Sequence, residues 1–290
     1  MNRRTISTFF VVVILLSTVL MPNLAFAASD TTDGLDEIFY EWVEEYDNIH
    51  SDTYNYDLDN STLAQKEYID FHENDPGNVG NVVTNLANSI VWDASNPWYV
   101  NGYYINNSAM ERDWDYLERA SYNIETADIA IFGGHGIDGK SMQFNRLYTD
   151  SHLTQADADF GYNDLDWVFL LTCNWLKYKD ARVLPSKILG GAHSIMGYGT
   201  TMWMDPPMTT YLGNLLTGYY GSSWRVKSAW HEMNRLYPGP ATSESNPTIS
   251  VVYGATVDEN DYLWDEGSVG PYPGNNPPEF WSSITYTALP

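Results

Sequence analysis

Three short, nearly continuous apolar runs mark the middle of the chain, over 128–132, 167–172 and 192–198. Each is bounded by polar residues or glycine, the pattern of strands covered on both faces in a parallel sheet. Thr248 to Tyr253 and Trp98 to Ile105 predict further strands. Elsewhere the apolar period lengthens to that of a helix. Val79, Val82, Val83, Leu86, Ala87 and Ile90 share one face, so the spacing predicts an amphipathic helix over Asn78 to Val91. Similar spacing predicts helices over Leu35 to Tyr46, capped by Asp33, and over Ala109 to Ser121. Ser61 to Gln65 reads as a further helix start. Arg182 to Leu189, Thr209 to Tyr220 and Ser222 to Leu236 complete the helical set, the last stopped by Pro238-Gly239-Pro240. Strands alternating with helices argue for a three-layer α/β/α sandwich around a mostly parallel sheet.

The N-terminus changes the picture of where this domain works. Arg3 and Arg4, the apolar stretch from Phe9 to Leu20 and the small-residue site Ala25-Phe26-Ala27 read as a secretory signal peptide over residues 1–27. The expected mature protein is secreted or extracytoplasmic and not stably inserted in a membrane, since no later stretch is apolar for long enough to span one. Residues 28–290 are read as one domain, with an acidic, aromatic N-terminal region over 28–77 and an irregular tail over 258–290. The 22 tyrosines and 11 tryptophans supply a large core, which argues against disorder for most of the chain. A net charge of −24 disfavours nucleic acid and anionic membrane surfaces as partners. Solubility in a salty medium, calcium binding and basic polypeptide substrates all fit that charge. The sequence leaves the oligomeric state open.

The candidate chemistry sits at the ends of two of the apolar runs. Gly133-Gly134-His135-Gly136 follows the first, and Cys173, the sole cysteine, follows the second. Reactive side chains in open α/β sheets gather outside the carboxyl ends of the strands. If these strands are neighbours, His135 and Cys173 converge on one cleft, where an imidazole can take or share the thiol proton and the sulfur can attack a carbonyl carbon. The glycines let the backbone approach a substrate closely, and the Gly136 and Cys173 amides are oxyanion donor candidates.

These residues resemble the caspase, gingipain, clostripain and legumain group of cysteine peptidases, in which an apolar strand leads to His-Gly and a second apolar strand ends in Cys. Leu212 to Trp230, with Gly218, Trp224 and Trp230, is similar to the paired helices after the nucleophile strand in that group, and Thr248 to Gly254 to the strand that follows. A closer likeness is to an uncharacterised exported family carrying Gly-His-Gly, an Asp-Leu-x-Trp-Val strand leading to Cys and a downstream Gly-x-His strand. Here these are Gly134-His135-Gly136, Asp164 to Val168 through Cys173, and Gly191-Ala192-His193 through Gly197. The resemblance spans roughly residues 109 to 254 and implies a caspase-like sandwich. That likeness implies the fold more firmly than the function; the likeness to the peptidase group implies a cysteine peptidase-like hydrolase acting on peptide or amide bonds. Asn174 and Trp175 stand where those peptidases often place small residues, so these two, with Gly134 and His193, are candidate walls of the site.

Other readings stand beside this one. A non-catalytic surface or binding protein on the same fold, with a vestigial dyad, explains the same residues. His193 also fits a satisfied core histidine, and a zinc site would have His135, Cys173 and His193 as its ligands. Asp57, Asp59 and Asn60 cluster oxygens of the kind a Ca2+ loop uses, without the glycine and distal glutamate of a helix-loop-helix site. No other cofactor or metal is implied. Met142, Met196, Met202, Met204 and Met208 fit core or cleft lining, and Trp203 and Trp281 fit either a recognition surface or the core.

Overall fold

A computed structural model describes residues 37–42, 78–91, 98–105, 111–114, 124–137, 141–144, 152–158, 160–161, 165–177, 188–202, 205–238, 248–256, 259–263 and 279–286. The segment expected to be a signal peptide, the Asp57–Asn60 cluster, Trp203, Met204 and the expected helix start at Ser61 to Gln65 lie outside the described residues.

The architecture is α/β. Its frame is a seven-stranded sheet in the order β10-β9-β8-β7-β3-β1-β2. The strands are β1 (Glu37–Trp42), β2 (Tyr99–Ile105), β3 (Ile129–Gly133), β7 (Trp167–Leu171), β8 (Ser194–Tyr198), β9 (Thr248–Ala255) and β10 (Glu279–Tyr286). Pairings from β2 through β8 are parallel, and β9 and β10 are added antiparallel at one edge. Every residue of β3, β7 and β8 is buried, which is why each reads in the sequence as a nearly continuous apolar run.

Alternate side chains of these strands feed two cores. Ile129, Ile131, Phe169, Leu171, Met196 and Tyr198 face three helices, α1 (Asn78–Val91), α2 (Pro206–Thr217) and α3 (Val226–Leu236). Ala130, Phe132, Val168, Leu170 and Ile195 face a second core with Phe144, Leu153, Phe160 and Trp175. Over that second core lies a small sheet of β4 (Gly136–Ile137), β5 (Ser141–Gln143) and β6 (His152–Thr154). Val82, Val83, Leu86, Ala87 and Ile90 of α1 are fully buried, as the spacing predicts. No described helix is long and apolar enough to cross a membrane.

Four sequence expectations change. Leu35 to Tyr46 is expected to be a helix, but Glu37–Trp42 is β1, paired parallel to β2 and β3. Ile38 packs in one core and Phe39 in the other, so this short apolar cluster serves a doubly covered strand, and pairing on both sides overrides its helical spacing. The tail is expected to be irregular, but Glu279–Tyr286 pairs along its whole length with β9. Within the span expected as a helix from Ala109 to Ser121, Glu111–Asp113 forms a 3-10 turn. Most of Arg182 to Leu189 lies outside the described residues, and Leu189 makes a parallel bridge to Phe160 instead of a helical turn.

Candidate functional site

The register of β3 against β7 sets the site. Gly133 pairs with Leu171, and the Gly134 amide donates to the Leu171 carbonyl at 3.4 Å, so the two strands leave the sheet together. His135 and Cys173 are each the second residue beyond that last pair. Ile129 and Ile131 share the helix-facing core with Phe169, Leu171 and Cys173. Adjacent strands lie about 4.8 Å apart, so the two turns emerge side by side at the carboxyl edge.

The His135 turn is clamped from both sides. Its carbonyl accepts the Gln143 amide at 2.9 Å, which extends the β4–β5 ladder. Residues 135 and 143 therefore form a hydrogen-bonded pair, and Gly136 and Met142 the intervening pair without such bonds. The Gly136 amide is consequently directed away from β5. Gly136 is glycine for a steric reason: a Cβ there would lie 1.9 Å from the Cys173 carbonyl oxygen and 2.2 Å from Thr172 Oγ1. The backbone of one turn rests directly on the backbone of the other. His135 itself is buried.

The Cys173 turn is pinned by its neighbours. Asn174 adopts a left-handed conformation, φ 58°, which asparagine tolerates better than most residues and which bends the chain sharply after the cysteine. Its amide donates to the Thr200 carbonyl at 3.0 Å, and the Leu176 amide to the Tyr198 carbonyl at 3.0 Å. Gln155 Nε2 donates to the Trp175 carbonyl at 2.6 Å. The bend sends Trp175, fully buried, into the second core beside Phe160, away from the face that holds the thiol. Trp175 is therefore not a wall of the thiol site, contrary to the sequence expectation. Asn174 stays beside the cysteine, half-buried, and Gly134 serves the ladder.

Cys173 is half-buried, and its sulfur is held by the segment that follows β8. The Met202 amide donates to Sγ at 3.4 Å, and Sγ lies 3.8 Å from the Met202 carbonyl as donor. Burial pushes the thiol above its ordinary pKa, and the Met202 hydrogen bond draws it partly back. Among the described residues no hydrogen bond joins Sγ to His135. Burial therefore favours the protonated thiol over the thiolate at rest. Nothing in the sequence marks Met202 for this role, because it acts through its main chain.

His193 belongs elsewhere. It immediately precedes β8, and β8 runs parallel to β7, so it lies at the opposite edge of the sheet from Cys173. There its Nδ1 is 2.7 Å from Asp261 Oδ2 and its Nε2 3.3 Å from Asp166 Oδ1. All three residues are buried, and Trp167 packs edge-on against the imidazole. Burial raises the Asp261 pKa, with the His193 hydrogen bond and charge opposing it. This cluster ties the segment after β9 to the bases of β7 and β8. His193 is a structural histidine, not a wall of the Cys173 site. The zinc alternative loses its third ligand accordingly, and no group of three or more potential metal ligands occurs among the described residues. Met142, Met196, Met202 and Met208 are all buried in the cores, and Trp281 packs at a tilt against Tyr253.

A family model described as a domain of unknown function, DUF6345, matches residues 69–286, and the chain belongs to that family. No curated protein matches the chain.

Proposed function

We propose that this is an exported cysteine peptidase-like hydrolase with a caspase-like arrangement, in which Cys173 is the nucleophile and His135 the general acid and base. The observation that carries the reading is positional. The two residues leave adjacent parallel strands at the same register, and the Gly136 backbone rests on the Cys173 carbonyl. A thiol kept protonated by burial sets the order of events. Cys173 exchanges its Met202 hydrogen bond for His135. As the sulfur attacks a peptide carbonyl carbon, its proton passes to the imidazole, and the Gly136 amide receives the developing oxyanion. Collapse expels the amine, which takes that proton back from His135, and water then hydrolyses the thioester. The excess of carboxylates favours basic polypeptide substrates.

The second reading is a non-catalytic binding protein with a vestigial dyad. The contact of Sγ with Met202 in place of His135 favours it. Hydrolysis of an internally quenched peptide library rich in Lys and Arg separates the two. The peptidase reading expects turnover that falls at least about 1000-fold in both Cys173→Ala and His135→Ala, as expected when a nucleophile or its base is removed. Wild-type rates no higher than those of Cys173→Ala would overturn it.

A further inference from the structure

Away from the thiol, the turn between α2 and α3 carries an aromatic surface. Tyr219 is 76% exposed, Tyr220 58% and Trp224 38%. The turn itself is rigid. Gly218 takes the left-handed conformation at φ 77° that ends α2, and the Tyr219 amide donates to the Asn214 carbonyl at 3.0 Å. The Trp224 amide closes the turn onto the Leu215 carbonyl at 2.9 Å. The rings also fix one another. Tyr220 lies 5.4 Å from Tyr219 and 5.7 Å from Tyr211, and Tyr211 lies 6.1 Å from Tyr237. Four tyrosines thus form one continuous array from the exposed α2–α3 turn, past Tyr211 on α2, to Tyr237 at the C-terminus of α3, with Tyr211 and Tyr237 partly buried against the core.

Contiguous exposed rings on a hydrogen-bonded turn mark a binding surface, because pre-ordered tyrosines give large contact area with little loss of freedom on binding. The polar groups around them decide what binds. Arg235 grips Glu232 with two hydrogen bonds of 2.7 Å, so the one guanidinium beside Tyr211 is neutralised by its own carboxylate. Arg225, the exposed guanidinium next to Trp224, is taken up instead by Asn260 and Tyr262, so among the described residues the four tyrosines have no uncompensated charge beside them, and a chain of charge −24 repels anionic lipid and nucleic acid. Leu236 is the exposed aliphatic residue nearby, too little for the apolar centre of a protein interface. Asn214 Nδ2 donates to the Tyr220 hydroxyl at 3.2 Å, which leaves amide and phenol groups standing at the ring edges. Such a surface matches a neutral ligand with apolar C–H faces and hydroxyl rims. The faces stack on the rings, and the rims reach the phenols, the amide and the Glu232–Arg235 pair.

We propose that the Tyr211, Tyr219, Tyr220 and Tyr237 surface binds a neutral polysaccharide chain, independently of any chemistry at Cys173. The test is native affinity electrophoresis of the full chain through gels cast with hydroxyethylcellulose, glucomannan or glycol chitin, with polymer-free gels as reference. The expected result is retardation in at least one polymer, at least tenfold weaker in Tyr219→Ala/Tyr220→Ala, whose thermal melting is unchanged because both rings are exposed. Unretarded migration in all three polymers, or equal retardation of the variant, overturns the proposal. Binding to anionic vesicles or polylysine without retardation by any of these polymers overturns it as well.

Discussion

His231 makes the stability of this protein depend on pH in a defined window. It lies buried on α3, with Nδ1 2.8 Å from Ser250 Oγ on β9 and Nε2 3.0 Å from Ser282 Oγ on β10. Burial, helped by the nearby Lys227 charge, pushes its pKa down from 6.5 to about 4. Above pH 6.5 the imidazole is neutral in folded and unfolded chains alike, and it contributes no pH dependence. Between pH 6.5 and 4 the unfolded chain binds a proton that the folded chain refuses, so stability is lost as pH falls. With those two values the loss is about 2 kcal/mol at pH 5 and approaches about 3 kcal/mol below pH 4. The many carboxylates titrate in the same range, so the isolating measurement is a difference. Urea unfolding of the wild type and His231→Gln at pH 7.5 and pH 5.0 gives four stabilities. Glutamine keeps polar atoms near both serines but cannot be protonated. The wild-type advantage over the variant should shrink by about 2 kcal/mol between the two pH values. An advantage that stays constant within about 0.5 kcal/mol would refute the assignment of a buried neutral imidazole.

Two further substitutions probe the two edges of the sheet. Gly136→Ala places a methyl group 1.9 Å from the Cys173 carbonyl oxygen, so it should destabilise the protein by about 1–3 kcal/mol in denaturant melts, and an undisturbed melt would mean that the two turns are not in contact. His193→Ala leaves Asp166 and Asp261 buried without the imidazole between them. It should cost about 3 kcal/mol, lowering the melting temperature by about 10 °C, while reactivity at Cys173 stays at the wild-type level.

What was legible in the sequence follows from where side chains are buried. Ile129–Gly133, Trp167–Leu171 and Ser194–Tyr198 are covered on both faces, so continuous apolarity announces them. The helix Asn78–Val91 buries one stripe and reads just as directly. β10 escaped because Ser283, Ile284 and Thr285 are exposed, and an edge strand among prolines and glycines carries little pattern. β1 escaped because its six residues satisfy a helical spacing as well as a strand's, and only its two partner strands decide between them. At the site, the ends of β3 and β7 were readable, so the pairing of the His135 and Cys173 turns could be anticipated. Strand direction bears on His193 in the other sense. A residue that precedes a parallel strand belongs to the edge away from residues that follow one, and Asp166 before β7 carries the same signal. The main-chain hydrogen bonds of Met202 to Sγ left no trace in residue type, since any amino acid but proline could donate there.

Covalent labelling of Cys173 tests the central claim most directly, because it asks whether His135 acts on this thiol. The folded protein is treated at pH 7 either with iodoacetamide or with a peptidyl acyloxymethyl ketone carrying lysine next to the reactive carbonyl, and the adduct is followed by intact mass. Burial that raises the thiol pKa predicts slow alkylation by iodoacetamide, equal in wild type and His135→Ala. The dyad predicts that the peptidyl ketone modifies the wild type at Cys173 at least about 100-fold faster than His135→Ala, the size expected of general-base assistance. Equal rates for the two proteins with the peptidyl ketone, or no adduct until the protein is denatured, would contradict a working His135–Cys173 pair.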